Sequence, residues 1–231
     1  MTDSSWTRSK IIMKLLLTSS GITNDSIANA LFELVGKKPE NTKVAFIPTA
    51  SNVEVGDKGW LINDLVNLQN RGFEEIDIVD ISAVEEKVWR PKLERADILF
   101  FEGGNAYHLM EWIKKSGLAK MLPKLLETKV YVGVSAGSMV TGRDLALKIS
   151  QIVYGEDLDK KEEVEALRYV GFYFLPHLNS EFFKNCRKDK IEETASGIVD
   201  TIYVVDDQSA VKVVDGKVTV VSEGEWFVIN G

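Results

Sequence analysis

Cysteine and histidine are scarce in this 231-residue sequence, which contains only Cys186, His108 and His177. One cysteine cannot form an internal disulfide, and so few thiols and imidazoles argue against a Cys/His zinc site. The composition does not exclude a metal bound by carboxylates, but we expect neither a metal nor an organic cofactor. A chain without disulfides fits a reducing compartment, and we expect a cytoplasmic protein.

Long hydrophobic runs are also missing. No segment approaches the ~18 consecutive apolar residues of a transmembrane helix, so no membrane association is expected. Residues 1–12 are polar, lack the basic and apolar segments of a signal peptide, and are expected to lie outside the core. Residues 13–231 are expected to form a single α/β domain, because chains of this length commonly fold as one.

Positive charge is in deficit, with 28 Lys and Arg residues against 35 Asp and Glu residues and a net charge of -7. Nucleic acids and anionic membranes would on average repel such a chain, so neither is expected as a partner. The hydrophobic content of 45% is ample for the core of a globular protein.

The first two thirds of the chain alternate between two patterns. Short apolar runs are typical of parallel strands that are buried on both faces, and segments with apolar residues three and four apart predict helices between them. This alternation predicts a three-layer α/β fold, with a mostly parallel sheet and helices on both faces. The predicted strands are Lys14–Thr18, Val44–Pro48, Glu75–Asp80, Ile98–Glu102 and Val130–Ser135, and the predicted helices are Asp25–Val35, Lys58–Asn70, Ala106–Lys115 and Ala119–Glu127.

The pattern changes after about residue 200, where short β-branched runs follow one another. Asp215-Gly216 fits a two-residue hairpin turn, and we expect a short antiparallel edge on the sheet rather than a second domain. The acidic stretch Glu156–Arg168 is interpreted as a solvated loop or helix joining the two parts. The predicted C-terminal strands are Thr201–Val205, Ala210–Val214, Lys217–Val221 and Glu225–Ile229.

A Gly-x-Ser-x-Gly motif centred on Ser135 follows the last of the predicted parallel strands. A strand that runs through such a motif into a helix is the context of a nucleophile elbow, which presents the serine hydroxyl above the sheet. The backbone N–H of Ala136 would then be one oxyanion donor. The alternative interpretation is a tight strand-to-helix turn that simply needs small residues.

The serine would need a base, and the sequence offers two histidines. His177 follows an apolar run and Pro176, which stiffens the backbone where the imidazole must be aimed. His108 falls about one turn inside a predicted helix, where a packing role is expected. An isolated histidine is more often a core or surface residue than a base, and of the two we favour His177.

Two further segments can complete a catalytic site. Gly103-Gly104 follows an apolar strand, so the Gly104 N–H is a plausible second oxyanion donor, and Asn105 fits the cap of the next helix. A phosphate cradle is disfavoured, because neither GxGxxG nor GxxxxGK[ST] occurs. Strand alternation separates Asp206 from Asp207 at the end of a later strand. We favour Asp207 to orient the base, because the family resemblance described below also points to it, although a solvated acidic turn is nearly as good an interpretation.

Chain order argues against an α/β-hydrolase, because there the histidine comes last and here no histidine follows His177. Taken together, the motifs resemble peptidase family S51, which includes aspartyl dipeptidase (dipeptidase E) and cyanophycinase. The resemblance runs from about Lys14 to Val221. It is carried by Phe101-Glu102-Gly103-Gly104-Asn105, Gly133-Val134-Ser135-Ala136-Gly137-Ser138, Leu175-Pro176-His177 and Asp206-Asp207-Gln208-Ser209-Ala210.

The resemblance implies a fold similar to class I glutamine amidotransferases, with serine in place of their cysteine. It implies Ser135 as nucleophile, His177 as general base, and the N–H groups of Gly104 and Ala136 as the oxyanion hole. The third catalytic residue, which orients the histidine, varies in the family and is often Glu, where this chain has Asp207.

The expected function is that of a serine peptidase cleaving small peptides through an acyl-enzyme, with the N-terminal Asp preference that family members show. An acidic substrate would need a cation, for which Arg143 and Arg168 are both open. The alternatives are a small-ligand-binding protein without catalysis, an esterase, or a cyanophycinase-like hydrolase. Trp226 and Phe227 hint weakly at a homodimer surface.

Overall fold

A seven-stranded sheet lies at the centre of the computed structural model, which describes residues 13–145, 147–155 and 164–231. Its strand order is β3-β2-β4-β5-β1-β8-β9. The first five of these are parallel, and β8 and β9 add an antiparallel edge. The strands are β1 (Lys14–Thr18), β2 (Lys43–Ile47), β3 (Glu75–Ile78), β4 (Ile98–Phe101), β5 (Val130–Val134), β8 (Ser209–Val214) and β9 (Lys217–Ser222).

Helices cover both faces of this sheet, because successive side chains of each strand point to opposite sides. Leu15 and Leu17 pack in one apolar cluster with α3, α4 and α5, while Leu16 packs in another with α1 and α2. The predicted three-layer, mostly parallel α/β fold is therefore confirmed. The helices are α1 (Asp25–Val35), α2 (Gly59–Asn70), α3 (Glu86–Arg95), α4 (Ala106–Lys115), α5 (Leu118–Leu125), α6 (Ala136–Met139), α7 (Leu147–Tyr154) and α8 (Lys188–Thr194).

Two of the predicted C-terminal strands do not belong to the edge of the main sheet. Strands β7 (Ile202–Val205) and β10 (Trp226–Ile229) join β6 (Tyr173–Leu175) in a separate three-stranded sheet, in the order β10-β7-β6. Alternating β-branched residues predict a strand but not its partner, which is why this sheet was missed. The predicted Asp215-Gly216 turn joins β8 to β9, with φ values of 50° and 79°.

Helix α3 was also missed, because its sequence is mostly charged and contains Pro91. Its buried residues are Trp89 and Leu93, which lie four positions apart on one face. The predicted N-terminal extension, residues 1–12, lies outside the described residues, as do residues 156–163 of the predicted acidic connection.

The fold brings several chain segments to one edge of the main sheet. Parallel strands β1, β4 and β5 all end there. The segments that follow β6 and β7 lie beside them, since His177 and Asp207 both bond to Ser19 immediately after β1. In the part of the chain that the structure describes, no helix is long and apolar enough to cross a membrane.

Candidate active site

Ser135 lies between β5 and α6 in a backbone conformation that is rare for a residue with a side chain, with φ 46° and ψ -107°. The residues two positions before and two positions after Ser135 have to be glycine. A Cβ on Gly133 would come within 2.6 Å of the Gly137 backbone, and a Cβ on Gly137 would overlap the carbonyl of Phe101. The motif therefore makes a strained turn that is held by close backbone contacts, as the nucleophile-elbow interpretation predicts.

His177 faces Ser135 from the segment that follows β6. Its Nε2 lies 2.9 Å from Ser135 Oγ, and its Nδ1 lies 2.7 Å from Asp207 Oδ1. An ionised Asp207 accepts a hydrogen bond, so it favours the tautomer with the proton on Nδ1. The lone pair of Nε2 is then directed at the serine hydroxyl, which is the arrangement a general base requires.

The imidazole is held from its other sides as well. The ring of Phe183 stacks on it at a centroid distance of 4.9 Å, and the backbone of His177 has a positive φ of 66°. The other histidine has a different environment. His108 lies in α4 and packs edge-to-face with Trp112 at a centroid distance of 6.3 Å, so it is His177 that the fold brings to Ser135.

Ser19, at the end of β1, is a site residue that the sequence analysis missed. Its hydroxyl donates to Asp207 Oδ1 at 2.7 Å and accepts from the backbone N–H of His177 at 2.8 Å. One buried hydroxyl therefore sets the position of both partners. The available signal was its place after a parallel strand, at the edge where such sheets bind ligands.

The pKa of Asp207 reflects these contacts. Burial acts to raise it, but the hydrogen bond and positive charge of His177 and the hydrogen bond from Ser19 outweigh burial and hold it below the usual value. Asp207 is therefore an anion across the neutral pH range. An anion here stabilises a protonated His177.

The Gly103-Gly104 loop after β4 packs against the serine turn. A Cβ on Gly103 would lie 3.4 Å from the Cβ of Ser135, and Gly104 has a φ of 123° that favours glycine. The side chain of Asn105 accepts a hydrogen bond from the His108 N–H at 2.9 Å, which makes Asn105 the predicted cap of α4. Ala136 begins α6, and an amide at that position has no intrahelical acceptor.

The two arginines considered for an acidic substrate already have carboxylate partners. Arg143 contacts Asp144 at 2.8 Å and Asp200 at 3.0 Å, and Arg168 contacts Glu165 at 3.1 Å.

Arg187 differs from them. Its hydrogen bonds among the described residues go to the carbonyls of Ser180, Phe183 and Cys186, in the segment that follows His177. No group of three or more His, Cys, Asp or Glu side chains able to hold a metal ion occurs within the described ranges.

The fold and this constellation define a class: a mostly parallel α/β protein with a serine on a strained strand-to-helix turn that faces a histidine and an aspartate. The model of peptidase family S51 matches residues 15–221, and the chain belongs to this family. The resemblance seen in the sequence motifs is thereby confirmed.

Curated relatives are also peptidases by name. The chain is 30% identical over 168 residues to an uncharacterized peptidase of Pasteurella multocida (strain Pm70), covering 70% of this chain and 73% of that protein. It is 30% identical over 184 residues to an uncharacterized peptidase of Listeria monocytogenes, covering 73% of this chain and 80% of that protein.

Two solved structures share the fold. A candidate peptidase E from Listeria monocytogenes EGD-e superposes with a TM-score of 0.75 at 25% identity, covering 92% of this chain and 100% of that one. A peptidase from an acI-B1 Actinobacterium gives a TM-score of 0.65 at 16% identity, over 95% of each chain.

Proposed function

We propose that the protein is a serine peptidase that hydrolyses small peptides through an acyl-enzyme. The observation that carries the proposal is the continuous hydrogen-bonded line from Ser135 Oγ through His177 to Asp207, with distances of 2.9 and 2.7 Å. It supports catalysis over mere binding, since a ligand-binding protein has no need of a base on its serine.

In the first half of the reaction, Ser135 Oγ attacks the carbonyl carbon of the peptide bond while its proton passes to His177 Nε2. The oxyanion that forms is stabilised by the N–H groups of Gly104 and Ala136, close to the N-terminal end of α6. The C–N bond then breaks, His177 donates its proton to the leaving amine, and the acyl group stays on Ser135 as an ester.

In the second half, water attacks the ester carbonyl while His177 accepts its proton. Breakdown of the second tetrahedral intermediate releases the carboxylic acid product and returns the proton to Ser135 Oγ. Asp207 keeps its negative charge throughout and stabilises the imidazolium in both halves.

For the substrate we propose a small peptide with an N-terminal Asp, and Arg187 as the cation that meets its side-chain carboxylate. Arg143 and Arg168 serve this purpose less well, because neighbouring carboxylates already compensate their charges. Arg187 lies in the segment of His177 and Phe183, and its hydrogen bonds to carbonyls leave its charge uncompensated by a described carboxylate.

The test is hydrolysis of a dipeptide panel that includes Asp-X and Ala-X by the wild type, Ser135→Ala, His177→Ala and Arg187→Ala. We expect both Asp-X and Ala-X cleavage to vanish in the first two variants, with circular dichroism spectra unchanged. Arg187→Ala should lower the ratio of Asp-X to Ala-X cleavage. Arg168→Ala is the matched control and should leave that ratio unchanged.

Other outcomes separate the alternatives. Cleavage of esters or of aspartyl polymers that is lost in Ser135→Ala would keep the mechanism and replace the substrate. Activity that survives Ser135→Ala would contradict the mechanism, and a wild type that turns over nothing would favour a binding protein.

A further inference from the structure

Two buried acidic side chains near Ser135 have no part in the reaction described above. Asp64 lies in α2, and Glu102 follows β4 immediately before Gly103. The side chain of Glu102 is fully buried, and that of Asp64 is nearly so. Helix α2 is not buried throughout, because Trp60, one turn before Asp64, is partly exposed to solvent. Burying carboxylates in this way is unfavourable unless they are paired or neutral.

Each carboxyl group acts on the pKa of the other as a side-chain hydrogen-bonding neighbour, and both oxygens of Glu102 are buried without a hydrogen bond to any other described side chain. If both were ionised, both would only accept hydrogen bonds, and neither oxygen of Glu102 finds a donor among the side chains described. A proton between the two groups removes this conflict, because one carboxyl then donates to the other. The contact itself therefore implies a shared proton.

The electrostatics agree with the geometry. Burial, and next the neighbouring Asp64, raise the pKa of Glu102 well above its usual value. Burial raises the pKa of Asp64 to about 7, against the opposing hydrogen bond of Glu102 and with a contribution from the charge of Asp207. The pair thus holds a proton at neutral pH that isolated carboxyl groups would have lost.

The position of the pair links it to the Gly103-Gly104 loop, which carries one of the proposed oxyanion donors. On one side of the loop, Ser51 Oγ donates to the Gly103 carbonyl at 2.8 Å, and the Asn105 N–H donates to the Ala50 carbonyl at 2.9 Å. On the other side, the Glu102 side chain bonds to Asp64, so α2 is the second anchor of the loop.

Asp64 also reaches the segment after β1. A Cβ on Gly21 would overlap the Asp64 carboxyl group, so this glycine makes room for it.

We propose that Asp64 and Glu102 share one proton, and that this hydrogen bond positions the Gly103-Gly104 loop against Ser135. The inference rests on the proposed peptidase function. Both side chains are positioning residues, because they act through the loop and touch neither the substrate nor the reacting atoms.

A pH dependence follows. The pair consists of the Asp64 carboxyl group from α2 and the Glu102 carboxyl group from the loop after β4. The charged groups that face it are Asp207, from the segment after β7, and His177 on the far side of Asp207. When the shared proton leaves, two negative charges meet beside the loop, the loop loses its anchor, and the oxyanion is less stabilised. Activity therefore falls on the alkaline side.

The experiment measures kcat and KM between pH 5 and 9 for a peptide that the wild type cleaves. Glu102→Gln keeps a hydrogen bond to Asp64 and removes one of the two titrating groups of the pair, so its kcat at pH 6 should stay within about threefold of the wild type. Its alkaline decline should shift by about one pH unit or more. Glu102→Ala should lose kcat by about 10- to 100-fold with KM little changed, because the loop is displaced.

Two further variants guard the interpretation. Asp64→Asn should reproduce the alkaline shift of Glu102→Gln, which covers the case in which Glu102→Ala fails to fold. Glu86→Gln, an exposed carboxylate on α3, should match the wild type at every pH. A Glu102→Gln profile that superimposes on the wild type, or wild-type kcat in a folded Glu102→Ala, overturns the proposal.

A second readout separates this proposal from the peptidase function. If no peptide is cleaved, the peptidase function fails, and the amide NMR signals of Gly103 and Gly104 decide the role of the pair. They should shift with pH in the wild type, and the midpoint should move in Glu102→Gln, because the variant leaves Asp64 as the titrating group of the pair. Signals that do not respond to pH in the wild type overturn the proposal whatever the hydrolysis result.

Discussion

Asp207 and the Asp64–Glu102 pair are two acidic sites at the same edge of the sheet, and their pKa values shift in opposite directions. Burial acts to raise the pKa at both. At Asp207, donors from His177 and Ser19 reverse the effect, while Asp64 and Glu102 have mainly each other. The comparison shows that the donors available, more than burial, decide whether a carboxyl is kept as an anion or as an acid.

The largest effect is expected when the negative charge of Asp207 is removed. Asp207→Asn should lower kcat by about 10³- to 10⁴-fold, because an amide favours the wrong tautomer of His177 and cannot stabilise its charge. The measurement is steady-state hydrolysis of the best peptide substrate.

Asp206→Asn is the matched control for Asp207→Asn. The Asp206 carboxylate accepts from Gln208 N–H at 3.0 Å and Ser209 Oγ at 2.6 Å, so it shapes the turn rather than the base. Its substitution should cost stability and leave kcat within about threefold. Equal losses of kcat in the two variants would contradict the distinction between these neighbouring aspartates.

The second-largest effect is expected in the Gly103-Gly104 loop, which follows Glu102 of the acidic pair. In Gly104→Ala, the new Cβ would overlap the carbonyl of Ala50, and φ of 123° would be strained. We expect kcat to fall by about 10²-fold through displacement of an oxyanion donor. Gly36→Ala is the control: with φ of 70° and open space around the Cβ, it should cost stability alone. Full activity in Gly104→Ala would remove Gly104 from the oxyanion hole.

A smaller effect is expected from the hydroxyl that supports Asp207. Ser19→Ala removes one donor to Oδ1 and should lower kcat by about tenfold, since His177 keeps its own bond to Asp207. The pKa of Asp207 should rise, which NMR titration of its carboxyl carbon would show. Ser20→Ala serves as the neighbouring control, and an unchanged pKa in Ser19→Ala would count against the role given to Ser19.

The smallest effect concerns stability as a function of pH. The lowered pKa of Asp207 contributes stability above its unfolded-state value, and this is lost as the pH falls through the folded pKa. The raised pKa values of the pair contribute stability at acid pH. The share of Asp64 is lost as the pH rises through about 7, and the share of Glu102 is lost as the pH rises through its own raised pKa.

Urea unfolding between pH 3 and 8 measures both trends. Between pH 5 and 8 the wild type should lose about 1–2 kcal/mol more than Glu102→Gln, because the variant has one titrating group fewer in the pair. Parallel curves for the two proteins would show that the pair does not hold the proton assigned to it.

Local signals predicted part of this molecule well. Helices α1 and α4 have the predicted bounds because Asn24 and Asn105 cap their first turns and Gly36 ends α1 in a left-handed conformation. The Gly-x-Ser-x-Gly turn was likewise visible because the motif is local, and Gly133 is required by the backbone of Gly137 only four positions away. Gly137, in contrast, is required by the carbonyl of the distant Phe101.

The remainder depends on contacts between distant segments. Ser19 and Asp207 are 188 positions apart, and nothing near either residue predicts that they meet. Asp64 occupies a polar position in an amphipathic helix, which indicates solvent exposure, whereas the residue is buried against Glu102. The separate sheet of β6, β7 and β10 was missed for the same reason, since strand pairing is a tertiary property.

The central claim is that Ser135 and His177 act as one unit. A double-mutant cycle tests it most directly, with kcat/KM measured for the wild type, Ser135→Ala, His177→Ala and the double variant on one peptide. The account predicts that the double variant is no slower than Ser135→Ala alone, because neither residue works without the other. Losses that multiply in the double variant would contradict it, since they would show that the two residues act independently.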